Sequence, residues 1–433
     1  MFARISLTER AAVGGRRSGL SNALAGLALA AALAGCGSTA DSIGYNGSAG
    51  GHLIPLTRKP TYPNLFRQVG YSDVEIANKI AAWFTQLFHG DPGTQAIYFP
   101  VGADQANIQD ILHNKEVRTE GIGLGMMIAV QLDKREEFDR LWTYAATVLE
   151  RKDGAGRGYF QSHCDTPTTT EACDDPYGEQ QMVTALIFAH DRWASTTTID
   201  YETEALELLN VMRHKEDENK GVLDGVTNTF DASSGLPFTV PTDTAAAQGI
   251  GRPSIVMPAY YDLWAQATAD PFWSRAAAAS RDYWRRTAHP MTGLTPVRST
   301  FAGEAVPNYN TFLAESYRAQ LNIALDQIWT TAVPDDWEST EADRLLNFFD
   351  GKGMDTYGAT FTLDGAMTLD PAHDNALVAC NGVTAMIARE FVKRAVYVMN
   401  VWAVPPPVGT GRYYTGILGL TSLLMLSGQY VIW

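Results

Sequence analysis

The stretch Val117-Arg-Thr-Glu-Gly-Ile-Gly-Leu-Gly-Met-Met-Ile-Ala-Val-Gln-Leu-Asp133 places one carboxylate, Glu120, at the head of an otherwise apolar, glycine-spaced run. Glycines 121, 123 and 125 each cost roughly 1 kcal/mol in a helix interior relative to alanine, so close approach of a ligand or of another backbone must favour them. Thr119 is expected as the N-cap of this helix, and residues 126–130 with Leu132 supply a buried wall. Glu120 then falls in the first turn, at the mouth of whatever that wall lines. A carboxylic acid beside apolar surface has its pKa raised by desolvation, which suits a general acid. The plainer alternative is a carboxylate that complements the positive end of the helix.

The 433 residues, 45% hydrophobic and 10% aromatic, are ample for a large core and exclude general disorder. A formal net charge of −15 argues against nucleic acid as a partner, and also against polyanionic substrates such as pectin or alginate. Neutral ligands fit better. The eight histidines include no pair at helical ligand spacing and there is no Cys-x-x-Cys, so no metal site is expected. The run of glycines 121–125 is not a dinucleotide fingerprint, because no strand precedes it and no acidic ribose ligand follows. No cofactor is expected.

The N-terminus carries Arg16-Arg17, the small apolar run 23–33 and then Leu33-Ala-Gly-Cys36. This has the form of a signal peptide ending in a bacterial lipoprotein cleavage box. The expected organisation is a signal over 1–36, a flexible linker over 37–58 that opens in Gly, Ser and Ala, and one folded domain over 59–433. Cys36 would be lipidated. The mature protein is expected as a monomer tethered by that lipid, on the periplasmic side of a membrane or at the outer membrane or cell surface. Export also favours a disulfide between Cys164 and Cys173, which bracket a Thr-rich loop. Cys380 remains as a buried small hydrophobe.

Helical periodicity recurs along the domain. Residues 71–89 form an amphipathic pattern opened by a Ser72/Glu75 capping box. Further helices are expected over 136–149, 178–193, 201–212, 259–268, 271–287, 311–330, 339–350, 375–392 and 416–426. Between 221 and 258 the composition turns to Gly, Pro, Thr and Asp, which marks a long excursion that helps build a binding surface. Paired helices at this cadence, with few strands, indicate an all-α toroid or bundle rather than a parallel α/β sheet.

Val117-Arg-Thr-Glu-Gly121 followed by Phe138-Asp-Arg-Leu-Trp142 resembles the signature of glycoside hydrolase family 8. The likeness continues through Phe272-Trp273, Ala279-Ser-Arg281, His289-Pro-Met-Thr-Gly-Leu-Thr-Pro296, Tyr317-Arg318 with Asn322-Ile323 and Trp329, Gly411-Arg-Tyr-Tyr414 and Ser427-Gly428. It covers roughly residues 60–433, and its closest flavour is the reducing-end xylose-releasing exo-oligoxylanase branch. The resemblance implies an (α/α)6 barrel of helical hairpins with long cleft-forming loops. It also implies inverting hydrolysis of β-1,4-linked oligosaccharides or polysaccharides, with xylo-oligosaccharides as the first expectation. Inversion needs two carboxyl groups across the scissile bond, one protonated for the leaving oxygen and one ionised to activate water. Glu120 matches the family's general acid, and Glu315 in Ala314-Glu-Ser-Tyr-Arg318 stands where the family has an Asp as general base. A plain i,i+3 pair of Glu315 with Arg318 on a helix surface is the competing account.

Several cleft positions depart from the family. Pro176-Tyr177-Gly178-Glu179 replaces a Pro-Asp-Gly-Glu loop whose Asp holds the distorted sugar ring, so Asp175 or Glu179 would have to stand in. Ile255 replaces a tyrosine that supports the attacking water. Leu124 replaces a second tyrosine, and Thr415 an aspartate. His373 falls near the branch's His-Pro turn, which blocks the cleft and reads the reducing-end sugar; the proline is Asp374 here. Tyr177, Tyr260, Tyr317 and Arg318 are the remaining candidates for sugar contact. A glycan-binding lipoprotein with weakened or lost catalysis is the alternative. A polysaccharide lyase is disfavoured, because no Arg or Lys cluster is visible in the sequence around Glu120.

Overall fold

The computed structural model describes residues 51–57, 59–162, 175–195, 198–330 and 335–433. The expected signal segment, Cys36, and both Cys164 and Cys173 lie outside them. Among the described residues the chain alternates helices that lie in an inner ring with helices that cover it. The inner six are α3 (Thr119–Gln131), α5 (Pro176–Trp193), α8 (Pro258–Thr268), α10 (Tyr317–Trp329), α12 (Asn375–Thr384) and α14 (Arg412–Leu426). Each packs on the next in that order, and α14 packs back on α3, so the ring closes. The outer helices α4 (Arg135–Tyr144), α6 (Tyr201–Asn219), α9 (Pro271–Thr287), α11 (Trp337–Gly351) and α13 (Phe391–Ala403) each follow and cover the inner helix before them. The sixth, α2 (Asp73–His89), covers α14. This is the (α/α)6 barrel. Two short helices, α1 (Leu65–Gln68) and α7 (Asp243–Gln248), complete the set.

Inner and outer helices differ in sequence because they differ in surroundings. All thirteen residues of α3 are buried, and α5, α12 and α14 are buried over most of their length, as helices enclosed by neighbours are. The outer α2 is amphipathic, with Ile76, Ile80, Trp83, Phe84 and Leu87 inward and the expected Ser72/Glu75 capping box at its start.

The glycines of α3 answer to contacts. A Cβ on Gly123 would lie 2.5 Å from the Gly178 carbonyl oxygen of α5, and one on Gly178 would lie 2.5 Å from the Glu120 nitrogen. Gly121 faces the Tyr413 ring and Gly125 the Ile108 side chain. Close backbone approach therefore explains the spacing, and it locks the start of α3 against the start of α5. Gly178→Ala should push these backbones apart. We expect a loss of about 2 kcal/mol on the scale of overpacked cores, read by denaturant unfolding, together with reduced activity because Glu120 moves.

Three small sheets lie along the loops at the N-terminal ends of the inner helices: β1–β2–β3 (Tyr98–Val101, Gln105–Asp110, Glu116–Val117), β4–β5 (Ile250–Gly251, Ser299–Thr300) and β6–β7–β8 (Thr311–Phe312, Thr360–Thr362, Thr368–Asp370). All are antiparallel. β3 runs into Glu120, β4 into Arg252, β6 into Glu315 and β8 into His373.

Four expectations need correction. Thr119 is not the cap of α3: Arg118 holds that position without a side-chain bond, while the Thr119 hydroxyl faces the Asp175 carbonyl at 3.5 Å. Residues 311–316 are not helical; they form β6 and a 3-10 turn before α10 begins at Tyr317. The expected helix 375–392 ends at Thr384, and a separate α13 begins at Phe391. The packed domain also starts before residue 59. Leu53 and Leu56 are buried, the Ile54 nitrogen donates to the Ala267 carbonyl, and the Leu53 nitrogen donates to Glu202. No helix among the described residues is long and apolar enough to cross a membrane.

Candidate active site

The six inner helices start at one end of the barrel, and their first turns carry the candidate residues. Glu120 opens α3, Asp175 caps α5 by accepting from the Tyr177 nitrogen at 3.1 Å, Arg252 precedes α8, Glu315 and Arg318 open α10, Asp374 caps α12, and Tyr413 and Tyr414 open α14. Helix N-termini leave unpaired N–H groups and a positive dipole end, a setting that favours carboxylates.

Glu120 is 5% exposed. Its carboxylate is paired with Arg318 through Nη1, and the same guanidinium reaches the Glu315 carboxylate through Nη2 at 3.9 Å. Two oxygens bridged by one guanidinium lie closer than roughly 9.5 Å, the upper end of the inverting range and a limit that a retaining pair also meets. The Arg318 guanidinium is held over the Tyr177 ring at 4.4 Å. Arg252 completes the network: its Nη1 donates to Glu315 Oε1 at 2.5 Å, and its Nη2 donates to Asp175 Oδ1 at 2.7 Å and to the Thr239 carbonyl at 3.0 Å. Tyr414 anchors the base turn from α14, its hydroxyl donating to the Ala314 carbonyl at 2.5 Å.

Burial and charge act differently on Glu120 and Asp175. Burial lifts the Glu120 carboxyl above the usual carboxylate range; Arg318 and Arg118 offset part of this, and nearby Asp175 adds to it. Asp175 is pushed up by burial as well, but Arg252, Arg318 and its bond from the Tyr177 nitrogen together leave it below its ordinary value. Glu315 is the more open group, its side chain 29% exposed against 6% for Glu120. One carboxyl is thus withdrawn and biased toward the protonated form, and the other is open to solvent beside two arginines.

Three of the remaining candidates belong to the scaffold. Glu179 is fully buried and accepts from the Phe160 nitrogen at 3.0 Å, tying α5 to the loop before it. The Tyr317 ring is buried and its hydroxyl donates to the Ala359 carbonyl at 2.7 Å, fastening the β7 strand region over α10. The Tyr260 hydroxyl is held by Gln181 at 2.9 Å and Tyr430 at 2.8 Å inside the core. Tyr260 and Tyr317 are therefore not sugar platforms, and Tyr177 offers its face to Arg318. His373 is exposed on the loop after β8; its Nδ1 donates to the Tyr357 carbonyl at 2.9 Å and its ring meets the Tyr357 ring edge-on. Ile255 and Leu124 are buried in the apolar core.

The absence of an arginine cluster around Glu120 is also corrected. Arg118, Arg252 and Arg318 all converge on this end of the barrel, but each is paired with a carboxylate of the protein, Arg118 with Glu116 at 2.7 Å. Sequence inspection missed Arg252 altogether. Its signal was present, since it is the one charged residue between Asp243 and Asp262.

A closed ring of helical hairpins with two carboxyl groups at its N-terminal mouth has the pair of acids that glycoside hydrolysis requires, and the chain's relatives place it among the glycoside hydrolases. The chain belongs to glycosyl hydrolases family 8, whose profile matches residues 102–427. It is 33% identical over 384 residues to the reducing-end xylose-releasing exo-oligoxylanase Rex8A of Paenibacillus barcinonensis, covering 86% of this chain and 97% of that one. The reducing end xylose-releasing exo-oligoxylanase of Halalkalibacterium halodurans is 32% identical over 383 residues, covering 86% and 94%. The structure of the Paenibacillus barcinonensis Rex8A complexed with xylose superposes with a TM-score of 0.77 at 33% identity, over 86% of this chain and 97% of that chain. A xylobiose complex from Teredinibacter turnerae superposes with a TM-score of 0.79 at 32% identity, over 86% and 98%.

Proposed function

We propose that this enzyme hydrolyses β-1,4-linked xylo-oligosaccharides with inversion, Glu120 acting as general acid and Glu315 as general base. The observation that supports this reading is the convergence of Glu120 and Glu315 at one mouth of the barrel, Glu120 paired with Arg318, and Glu315 held by Arg252 at 2.5 Å and facing Arg318 at 3.9 Å. Glu120 gives its proton to the glycosidic oxygen as the bond breaks. Glu315 takes a proton from the water that attacks the anomeric carbon from the opposite face. Departure of the leaving sugar and arrival of water thus occur at two differently solvated groups. The relatives named for release of xylose support xylose-based substrates, and His373 on the loop after β8 is the candidate for reading the reducing end.

The test is sugar release by residues 52–433 from xylo-, cello- and chito-oligosaccharides, with the anomer of the new end followed by NMR. The reading expects xylo-oligosaccharides as the best substrates, an α-anomer formed first, and free xylose as an early product. Tight binding without turnover on every member would instead make the protein a glycan receptor.

We further propose that the chain is exported and tethered to a membrane through lipid on Cys36, a reading supported by the Leu33-Ala-Gly-Cys36 box. Labelled fatty acid should enter the wild-type chain and be absent from Cys36→Ser, which should be released in soluble form.

A further inference from the structure

Arg252 lies in the Gly/Pro-rich loop before α8, the one charged residue between Asp243 and Asp262. Its side chain is nine-tenths buried. The backbone that follows it is gripped by three helices in turn. Trp284 Nε1 of α9 donates to the Pro253 carbonyl at 2.9 Å, Asn322 Nδ2 of α10 to the Ser254 carbonyl at 3.0 Å, and Gln180 Nε2 of α5 to the Ile255 carbonyl at 3.1 Å. These donors leave the loop little freedom, because releasing any of them would strand a buried polar group. A guanidinium mounted on so fixed a backbone is a rigid reference point.

We propose that Arg252 is a positioning residue for hydrolysis, tying Glu315 and Asp175 to one immobile loop through the two ends of its guanidinium. The inference rests on Glu315 as the base. Glu315 comes from a 3-10 turn rather than from a regular helix, and it is only partly buried. Free, its side chain would sample several rotamers, whereas activation of a water requires the carboxylate to stay within a fraction of an ångström of one place. Arg252 Nη1 removes that freedom at 2.5 Å. The other terminal nitrogen, Nη2, is itself held by Asp175 and the Thr239 carbonyl, so the fork cannot swing away with its partner. The length of Glu315 belongs to the same arrangement, since an aspartate at 315 would draw its carboxylate back from this guanidinium by one methylene. Arg318 faces Glu315 as well, but at 3.9 Å and while paired with Glu120, so it does not replace the contact. Lysine at 252 would place one point charge where two carboxylates must be bridged.

The experiment compares kcat and KM of the wild type, Arg252→Ala, Arg252→Lys and Glu315→Gln on a xylo-oligosaccharide, with and without millimolar guanidinium ion. Folding of each is followed by circular dichroism. Arg252→Ala should lower kcat about a hundredfold with KM changed less than about threefold, and guanidinium should return at least about tenfold by filling the vacated fork. Arg252→Lys should fold as the wild type does and lose about tenfold in kcat, with no gain from guanidinium because its ammonium fills the space. Unchanged kcat in the lysine variant, or a loss in the alanine variant that follows its thermal stability and ignores guanidinium, overturns the inference alone. Turnover retained in Glu315→Gln overturns the base assignment and the inference with it.

Discussion

Glu120→Gln should lower kcat on an oligosaccharide by about 10³, a loss of about 4 kcal/mol of transition-state stabilisation, with substrate binding kept. The amide has the size of the carboxyl and can still accept from Arg318, so the network at the start of α10 survives. What it lacks is a proton acidic enough to follow the departing oxygen. An oligosaccharyl fluoride needs no such proton, because fluoride leaves as a stable anion. On that substrate the variant should run within about tenfold of the wild type. The pH profile gives a second reading of the same group. A general acid works in its protonated form, so kcat/KM should fall as pH rises through the pKa of Glu120. Burial has moved that pKa above the usual carboxylate range, against the smaller opposing pull of Arg318 and Arg118. The enzyme should therefore keep its activity to higher pH than an exposed glutamate would allow. In Glu120→Gln acting on the fluoride this alkaline decline should vanish. Wild-type turnover of the oligosaccharide by the variant would remove Glu120 from the mechanism.

The acid was legible because the sequence isolates it. A lone charge at the head of the apolar segment 121–130 stands out even though a helix N-terminus also favours a carboxylate, and the neighbouring glycines signalled a close approach that the Gly123–Gly178 contact supplies. Arg252 carries the same kind of signal, a single charge in a long uncharged stretch. Its meaning depends on Asp175 and Glu315, tens of residues away in either direction, and no local pattern reports which carboxylates a ring of helices will bring together. The aromatic candidates failed for a related reason. Tyr177, Tyr260 and Tyr317 look alike as residues beside acids, yet each spends its ring or hydroxyl on an internal partner. The cadence of paired helices showed an all-α toroid or bundle and the family resemblance implied the barrel, whereas its breaks were not readable. Helical periodicity runs across 311–330 and 375–392, but pairing of Thr311–Phe312 with β7 and the turn after Thr384 override it. Tertiary pairing wins there because a two-residue strand needs only a partner, not a propensity.

Glu315→Ala should be the more informative of the two carboxylate variants, because it opens a space as well as removing a group. Loss of the base should lower kcat by about 10³, since water must then attack without surrendering its proton to a positioned carboxylate. The vacated volume is bordered by Arg252 Nη1, which held the lost oxygen at 2.5 Å, and by Arg318 Nη2. Both are cations, and a small anion should be drawn there. Azide meets the requirement and has no proton to lose, so it can attack the anomeric carbon without a base. The C–N bond forms from the face that water would use, the glycosidic C–O bond breaks, and the leaving oxygen takes the proton of Glu120. A β-linked substrate then yields an α-glycosyl azide, identifiable by NMR, and the rate should recover at least about tenfold as azide is raised. A β-azide would mean that the nucleophile entered from the leaving-group side and that 315 does not face the back of the sugar. Recovery should also fail when Glu120→Gln is added, because the leaving oxygen would again lack its proton. Dependence of the azide product on Glu120 therefore tests whether the two carboxyl groups that Arg318 bridges act on one bond.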